Sequence, residues 1–105
     1  MKKKLSDEAK ADLVEIRQYT LQQWGPQQSA KYITAISATI NNLADNPLMG
    51  VPRNDIKEGI RLFVHGRHVI YYMVRHQLLI VIRVLKHNAA SRRPAGRDKN
   101  ARLAL

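Results

Sequence analysis

The chain has 105 residues, no cysteine and a net charge of +10, with 45% hydrophobic and 25% charged residues. That length fits one domain with a real core, and the composition excludes wholesale disorder, disulfides, thiol catalysis and cysteine-held zinc. The charge is lopsided, six basic against five acidic side chains in residues 1–52 and twelve against three in residues 53–105, a field that attracts nucleic acid or an acidic protein segment.

Lys2 to Leu5 reads as a short edge strand, its three lysines discouraging edge-to-edge aggregation. The positive start suggests a signal peptide, but Asp7 and Glu8 fall where the apolar stretch belongs, so no leader is expected. No apolar run is long enough to span a membrane, and the expected compartment is the cytoplasm. Ser6 is a good N-cap, with Asp7 and Glu8 in the first turn of a helix. Ala9, Leu13, Ile16, Tyr19 or Thr20, and Trp24 recur at helical spacing, and the helix should end near Gly25. Pro26 suits the first turn of a second helix. Its apolar stripe is Ala30, Ile33, Ile36, Ile40 and Leu43, and Asp45-Asn46-Pro47 stops it.

Residues 46–59, with Pro47, Gly50, Pro52 and Gly59, read as a loop. Three strand-like runs follow, Ile60–His65, His68–Val74 and Leu78–Leu85, separated by Gly66-Arg67 and Arg75-His76-Gln77. Breaks this short favour an antiparallel meander. Residues 88–93 allow a helical turn, and residues 94–105 read as a basic tail, mobile unless a partner orders it. The organisation is one domain over residues 1–93 followed by that tail.

Helices first and strands afterwards imply an α+β fold, an N-terminal αα-hairpin on a small antiparallel sheet. Strict alternation puts Val69, Tyr71 and Met73 on one face and His68, Ile70, Tyr72 and Val74 on the other. In the last run it sets Leu78, Ile80, Ile82 and Val84 against Leu79, Val81, Arg83 and Leu85. A hairpin covers one face only. The other is left for a partner or for the chain's own loop and tail, and the physics weighs these equally.

Chemistry is sparsely signalled. There is no metal-ligand spacing, no glycine-rich phosphate loop and no nucleophile elbow, and neither metal nor cofactor is expected. Metal-free RNA cleavage would need proton carriers and phosphate-binding cations. His65, His68, His76 and His87 are available carriers, and Arg61 and Arg83 are cations inside strands, where a charge is costly unless paired or at an edge.

An ordered set of residues carries a resemblance over residues 4–93. It comprises Leu5-Ser6, Ala9, Asp12-Leu13, Ile16, Tyr19, Trp24-Gly25, Ala30, Tyr32, Ile40, Leu43, Asn46-Pro47, Gly50 and Arg53. It continues through Gly59-Ile60-Arg61, His68-Val69-Ile70-Tyr71-Tyr72 and Ile82-Arg83-Val84-Leu85. In these the chain resembles the ParE branch of the RelE/ParE toxin superfamily. The resemblance implies a type II toxin that arrests growth and is neutralised by a ParD-like antitoxin through a flexible acidic and apolar segment. It implies DNA gyrase as the target, a role in plasmid stabilisation, and contact with operator DNA only through the antitoxin.

On that footing the antitoxin-binding residues are expected to be Arg61, Tyr72, Arg83 and Leu85, and the target-binding residues Lys86, His87, Arg92 and Arg93. The alternative is a RelE-like ribonuclease that cuts mRNA with Arg61, Arg83 and His87. Nuclease relatives carry a catalytic acid, base or tyrosine near the end of the last strand. Here no tyrosine follows Tyr72, and no carboxylate lies between Glu58 and Asp98.

Overall fold

The computed structural model describes residues 1–87. The expected helical turn over residues 88–93 and the tail over residues 94–105 lie outside the described residues. The elements are β1 (Lys2–Leu5), α1 (Asp7–Trp24), α2 (Pro26–Asp45), a 3-10 turn (Pro47–Met49), β2 (Val51–Pro52), β3 (Arg61–His65), β4 (His68–Arg75) and β5 (Leu78–Lys86).

Local chemistry explains the helical hairpin. The Ser6 hydroxyl oxygen accepts from the Ala9 N–H at 3.0 Å, capping α1. Gly25, at φ +88°, sits alone between the helices, a left-handed conformation that glycine adopts without steric cost. Its N–H closes α1 onto the Leu21 carbonyl at 3.0 Å, and Pro26 opens α2. Two buried hydroxyls join the pair, Thr20 Oγ1 and Ser29 Oγ lying 2.7 Å apart, so each has a partner.

The buried stripes differ slightly from the expected ones. Asp12 and Thr20 are buried on α1 while Tyr19 is exposed, and on α2 Ser29 is buried where Ala30 was expected. Periodicity located the stripes, but the buried positions on these rows are polar residues with partners.

The sheet has five strands in the order β1-β5-β4-β3-β2. The three runs form the expected meander, β3 with β4 and β4 with β5 antiparallel. The edge strand β1 runs parallel to β5, Lys2 opposite Leu78 through Leu5 opposite Val81. At the other edge the loop over residues 46–59 contributes β2, which pairs with β3.

A bulge breaks the expected alternation in β5. Tyr71 pairs with Arg83 and Tyr72 with Val81, so Ile82 has no opposite residue. Leu79, Val81 and Val84 therefore all join the main core under the helices, with Ile70, Tyr72, Ile36, Ile40 and Leu43. Ile82 and Leu85 turn to the far face. That face has its own cluster, in which Ile60, Val69 and Tyr71 are buried and Ile56 packs against them from the loop. Among the described residues, then, the far face is partly covered by the chain itself.

Candidate functional site: a cleft between α1 and the end of β5

Three constellations fix the working surfaces. The first clamps α1 onto the β5 bulge. Ser6 Oγ donates to the Ile82 carbonyl at 2.7 Å. Asp12 accepts from Arg83 Nε at 2.8 Å and Nη2 at 2.9 Å, and its Oδ2 also accepts from the Val84 N–H at 2.9 Å. The carboxylate holds Arg83 protonated even above its ordinary range. Asp12 is 8% exposed, so the pair is a buried bidentate bridge rather than a surface contact.

The second constellation surrounds Tyr32, which reaches from α2 to the β3–β4 turn. Its hydroxyl accepts from the Arg67 N–H at 3.0 Å and lies 2.7 Å from His68 Nδ1 and 3.3 Å from the His65 carbonyl oxygen. Thr39 Oγ1 lies 2.9 Å from His65 Nδ1. The Trp24 ring meets Tyr32 edge-on, and the Arg67 guanidinium lies over Trp24, 5.6 Å from its centroid. Gly66, at φ +56°, turns the chain, and a Cβ there would lie 3.0 Å from the Tyr32 hydroxyl oxygen.

Burial raises the Tyr32 pKa and lowers that of His65. It also lowers that of His68, helped by the charges of His65, Lys86 and Arg67. A histidine whose pKa is depressed on folding contributes stability above its unfolded pKa, about 6.5, and that contribution is lost as pH falls through the folded value. The urea midpoint should therefore drop between about pH 7.5 and pH 5.5, above the carboxylate range, and His68→Gln should flatten the drop. A midpoint constant over that interval would contradict this.

The third constellation lies at the other edge of the sheet. Tyr72, wholly buried, donates from its hydroxyl to the Pro47 carbonyl at 2.6 Å and accepts from the Gly50 N–H at 2.9 Å. Arg61 donates to the Gly50 carbonyl from Nε at 3.2 Å and Nη2 at 2.9 Å, and Nη2 reaches the Leu48 carbonyl at 3.4 Å. Together they hold a loop that presents Leu48, Met49 and Val51 to solvent.

Arg83, Leu85 and Lys86 come together on a cleft of about 320 Å³, walled also by Asp12, Ile16, Trp24, Arg67 and His68. His87 adjoins it, its N–H donating to the Arg67 carbonyl at 2.6 Å. Arg61 and Tyr72 are not at this cleft. A more open groove lies on the other side of Trp24, against Gln27, Gln28, Lys31, Tyr32 and Ala35. It takes nothing from the sheet, so the α1–β5 cleft is the stronger candidate. Among the described residues no group of three or more histidines or acids could hold a metal ion.

Tyr72 requires a correction. It was expected on the antitoxin-binding surface, but it has no exposed surface to offer and acts instead as a loop anchor. Arg92 and Arg93 lie outside the described residues. Sequence reasoning missed Asp12, Arg67, His68 and Tyr32 as parts of one site. Asp12 carried a signal, a carboxylate on the buried stripe of a helix, where charge needs a partner.

The comparisons accord with this architecture. A solved structure described as the chromosomal ParDE TA system from P. aeruginosa matches with a TM-score of 0.73, covering 84% of this chain and 97% of that one. At 20% identity it shows the fold. The curated protein Toxin ParE1 of Caulobacter vibrioides is 40% identical over 93 residues, 89% of this chain and 96% of its own length. Toxin ParE1 of Mycobacterium tuberculosis is 35% identical over 82 residues, 77% of this chain and 84% of its own. The family described as ParE toxin of type II toxin-antitoxin system, parDE, matches residues 4–90, and this chain therefore belongs to the ParE toxin family of type II toxin–antitoxin systems.

Proposed function

We propose that this toxin acts by binding rather than by covalent catalysis, that its target is DNA gyrase, and that a ParD-like antitoxin silences it in the cytoplasm. The observation that carries the reading is the use the fold makes of its strand arginines. Arg83 is engaged by Asp12, and Arg61 by the carbonyls of Gly50 and Leu48. A cation that clamps a scissile phosphate does so best with a free guanidinium edge, and both arginines commit their Nε–Nη2 edge to the framework. The side chain of His87 is no better placed, because its Nε2 is buried without a partner among the described residues, whereas a proton carrier must reach its substrate.

What the cleft presents is an apolar wall of Ile16 and Val84 with the cations Arg67 and Lys86 beside it. An acidic, apolar segment that folds on binding matches that surface. Lys86, with Arg92 and Arg93, is thus the target-facing set, and Leu85 meets the antitoxin from the far face. Arg83 supports this surface from behind, while Arg61 and Tyr72 hold the loop at the opposite edge of the sheet. Operator DNA is reached through the antitoxin. No helix among the described residues is long and apolar enough to cross a membrane.

His87→Ala separates the readings. Growth arrest by the variant should stay within about twofold of the parent, since no proton transfer depends on the ring. Loss on the order of a hundredfold in a folded variant, with codon-positioned mRNA cuts by the parent mapped by primer extension, would support a ribonuclease instead.

A further inference from the structure

The Tyr32 hydroxyl has one proton to give. Its oxygen already accepts from the Arg67 N–H, and the two acceptors within reach are His68 Nδ1 at 2.7 Å and the His65 carbonyl at 3.3 Å. Given to the nearer acceptor, that proton makes His68 Nδ1 an acceptor. His68 is neutral at pH 7, since burial and the charges around it disfavour protonation. With Nδ1 accepting, the ring proton sits on Nε2. His68 lines the cleft and keeps 8% of its surface exposed. Tyr32 thereby fixes a neutral N–H donor in the cleft wall.

The charges around that donor are uneven. Arg67 in the turn and Lys86, directly opposite His68 in the strand register, form no ion pair among the described residues. Arg83 is neutralised by Asp12, and Glu15 on α1 is the other acid on the lining. Ile16 and Val84 make the apolar wall, while the Leu85 side chain packs on the far-face cluster.

We propose that this cleft recognises a side-chain carboxylate flanked by apolar residues, presented by the antitoxin's acidic segment, with His68 Nε2–H, Arg67 and Lys86 as its donors and Tyr32 as the positioning residue. The inference rests on the antitoxin reading above and names the group that the segment places here. A nucleic-acid phosphate would satisfy the same donors. A polyanion, however, gains nothing from the apolar wall and brings several charges up to Glu15, whereas a leucine- and glutamate-bearing segment brings one carboxylate and fills the wall.

The full chain with labelled histidine tests the tautomer by long-range 1H–15N correlation. At about pH 7.5 His68 should carry its proton on Nε2, and Tyr32→Phe should mix the tautomers, a change that loss of packing alone does not produce. Fluorescence anisotropy then compares a hexapeptide of alternating leucine and glutamate, its leucine–glutamine analogue and a thymidylate dodecamer. The glutamate peptide should bind about tenfold tighter than the glutamine one, and His68→Phe should remove about that factor. Lys86→Ala, at an exposed position that folding tolerates, should cost about threefold.

Equal binding of the two peptides, a proton on Nδ1 in the parent chain, or oligonucleotide binding as sensitive to His68→Phe as peptide binding would overturn the proposal. If His68→Phe does not fold, the tautomer and Lys86→Ala decide. A chain that poisons gyrase but ignores the peptide refutes this inference alone; one that binds the peptide but spares gyrase refutes the gyrase reading alone.

Discussion

Asp12→Ala is expected to lower stability by about 3–5 kcal/mol, the cost of breaking a buried bridge from one side. Arg83 would lose both arms of its contact, and the Val84 N–H would lose its acceptor in the core. The lower half of that range is favoured, because the Arg83 side chain keeps 24% exposure and recovers some hydration. For a domain of this size the melting temperature should fall on the order of 15–25 °C. Asp12→Asn should cost less, since the amide oxygen still accepts from Val84. Urea denaturation of the two variants and the parent decides it. A loss below about 1 kcal/mol for Asp12→Ala would mean the pair is a screened surface contact.

Gly50→Ala should cost about 3 kcal/mol, for reasons of space and not of backbone angle. Gly50 has an ordinary extended conformation at φ −79° and ψ 164°. A Cβ, however, would collide with the Tyr72 hydroxyl and lie 2.7 Å from the Leu62 carbonyl oxygen, and neither can move without breaking the β2–β3 edge or the buried tyrosine's bonds. Overpacking of this kind costs about 1–3 kcal/mol, and freeing the Gly50 N–H and the tyrosine hydroxyl adds to it. Tyr72→Phe alone should cost roughly 1–3 kcal/mol by leaving the Gly50 N–H without an acceptor. The two changes share one contact, so Gly50→Ala should cost less in the Tyr72→Phe background. Additive costs in that double-mutant cycle would contradict the anchor.

Much of this was legible beforehand. Ser6, Gly25, Pro26 and Asn46-Pro47 place the ends of both helices, because capping and breaking act within a few residues. The meander was visible from its apolar runs and short breaks. The exceptions arise where a distant partner decides. Strict alternation misassigned Val84 and Leu85, which follow the bulge, since the Ile82 bulge is held by Ser6 Oγ and the adjacent Asp12 bridge, 76 and 71 residues away along the chain. The β4–β5 turn falls at the expected break, but its tight form carried no signal, because His76 and Gln77 take positive φ, at 53° and 59°, where glycine or asparagine is the usual choice. Tyr72 was placed on the antitoxin surface by resemblance and is a buried anchor, because its hydroxyl finds partners in the Pro47–Gly50 loop, which no strand pattern ties to it. The cleft was half legible. Arg83, Leu85 and Lys86 stood out in the last strand, while Tyr32, Arg67 and His68 join them only through the packing of α2 on the β3–β4 turn.

If the toxin engages gyrase with a surface that the antitoxin covers, a supercoiling assay with purified gyrase, relaxed plasmid and the full chain should show it. Supercoiling should be lost and gyrase-linked cleaved DNA should accumulate, both prevented by prior addition of a ParD-like antitoxin. Undiminished supercoiling at large molar excess of a folded, growth-arresting chain would contradict it.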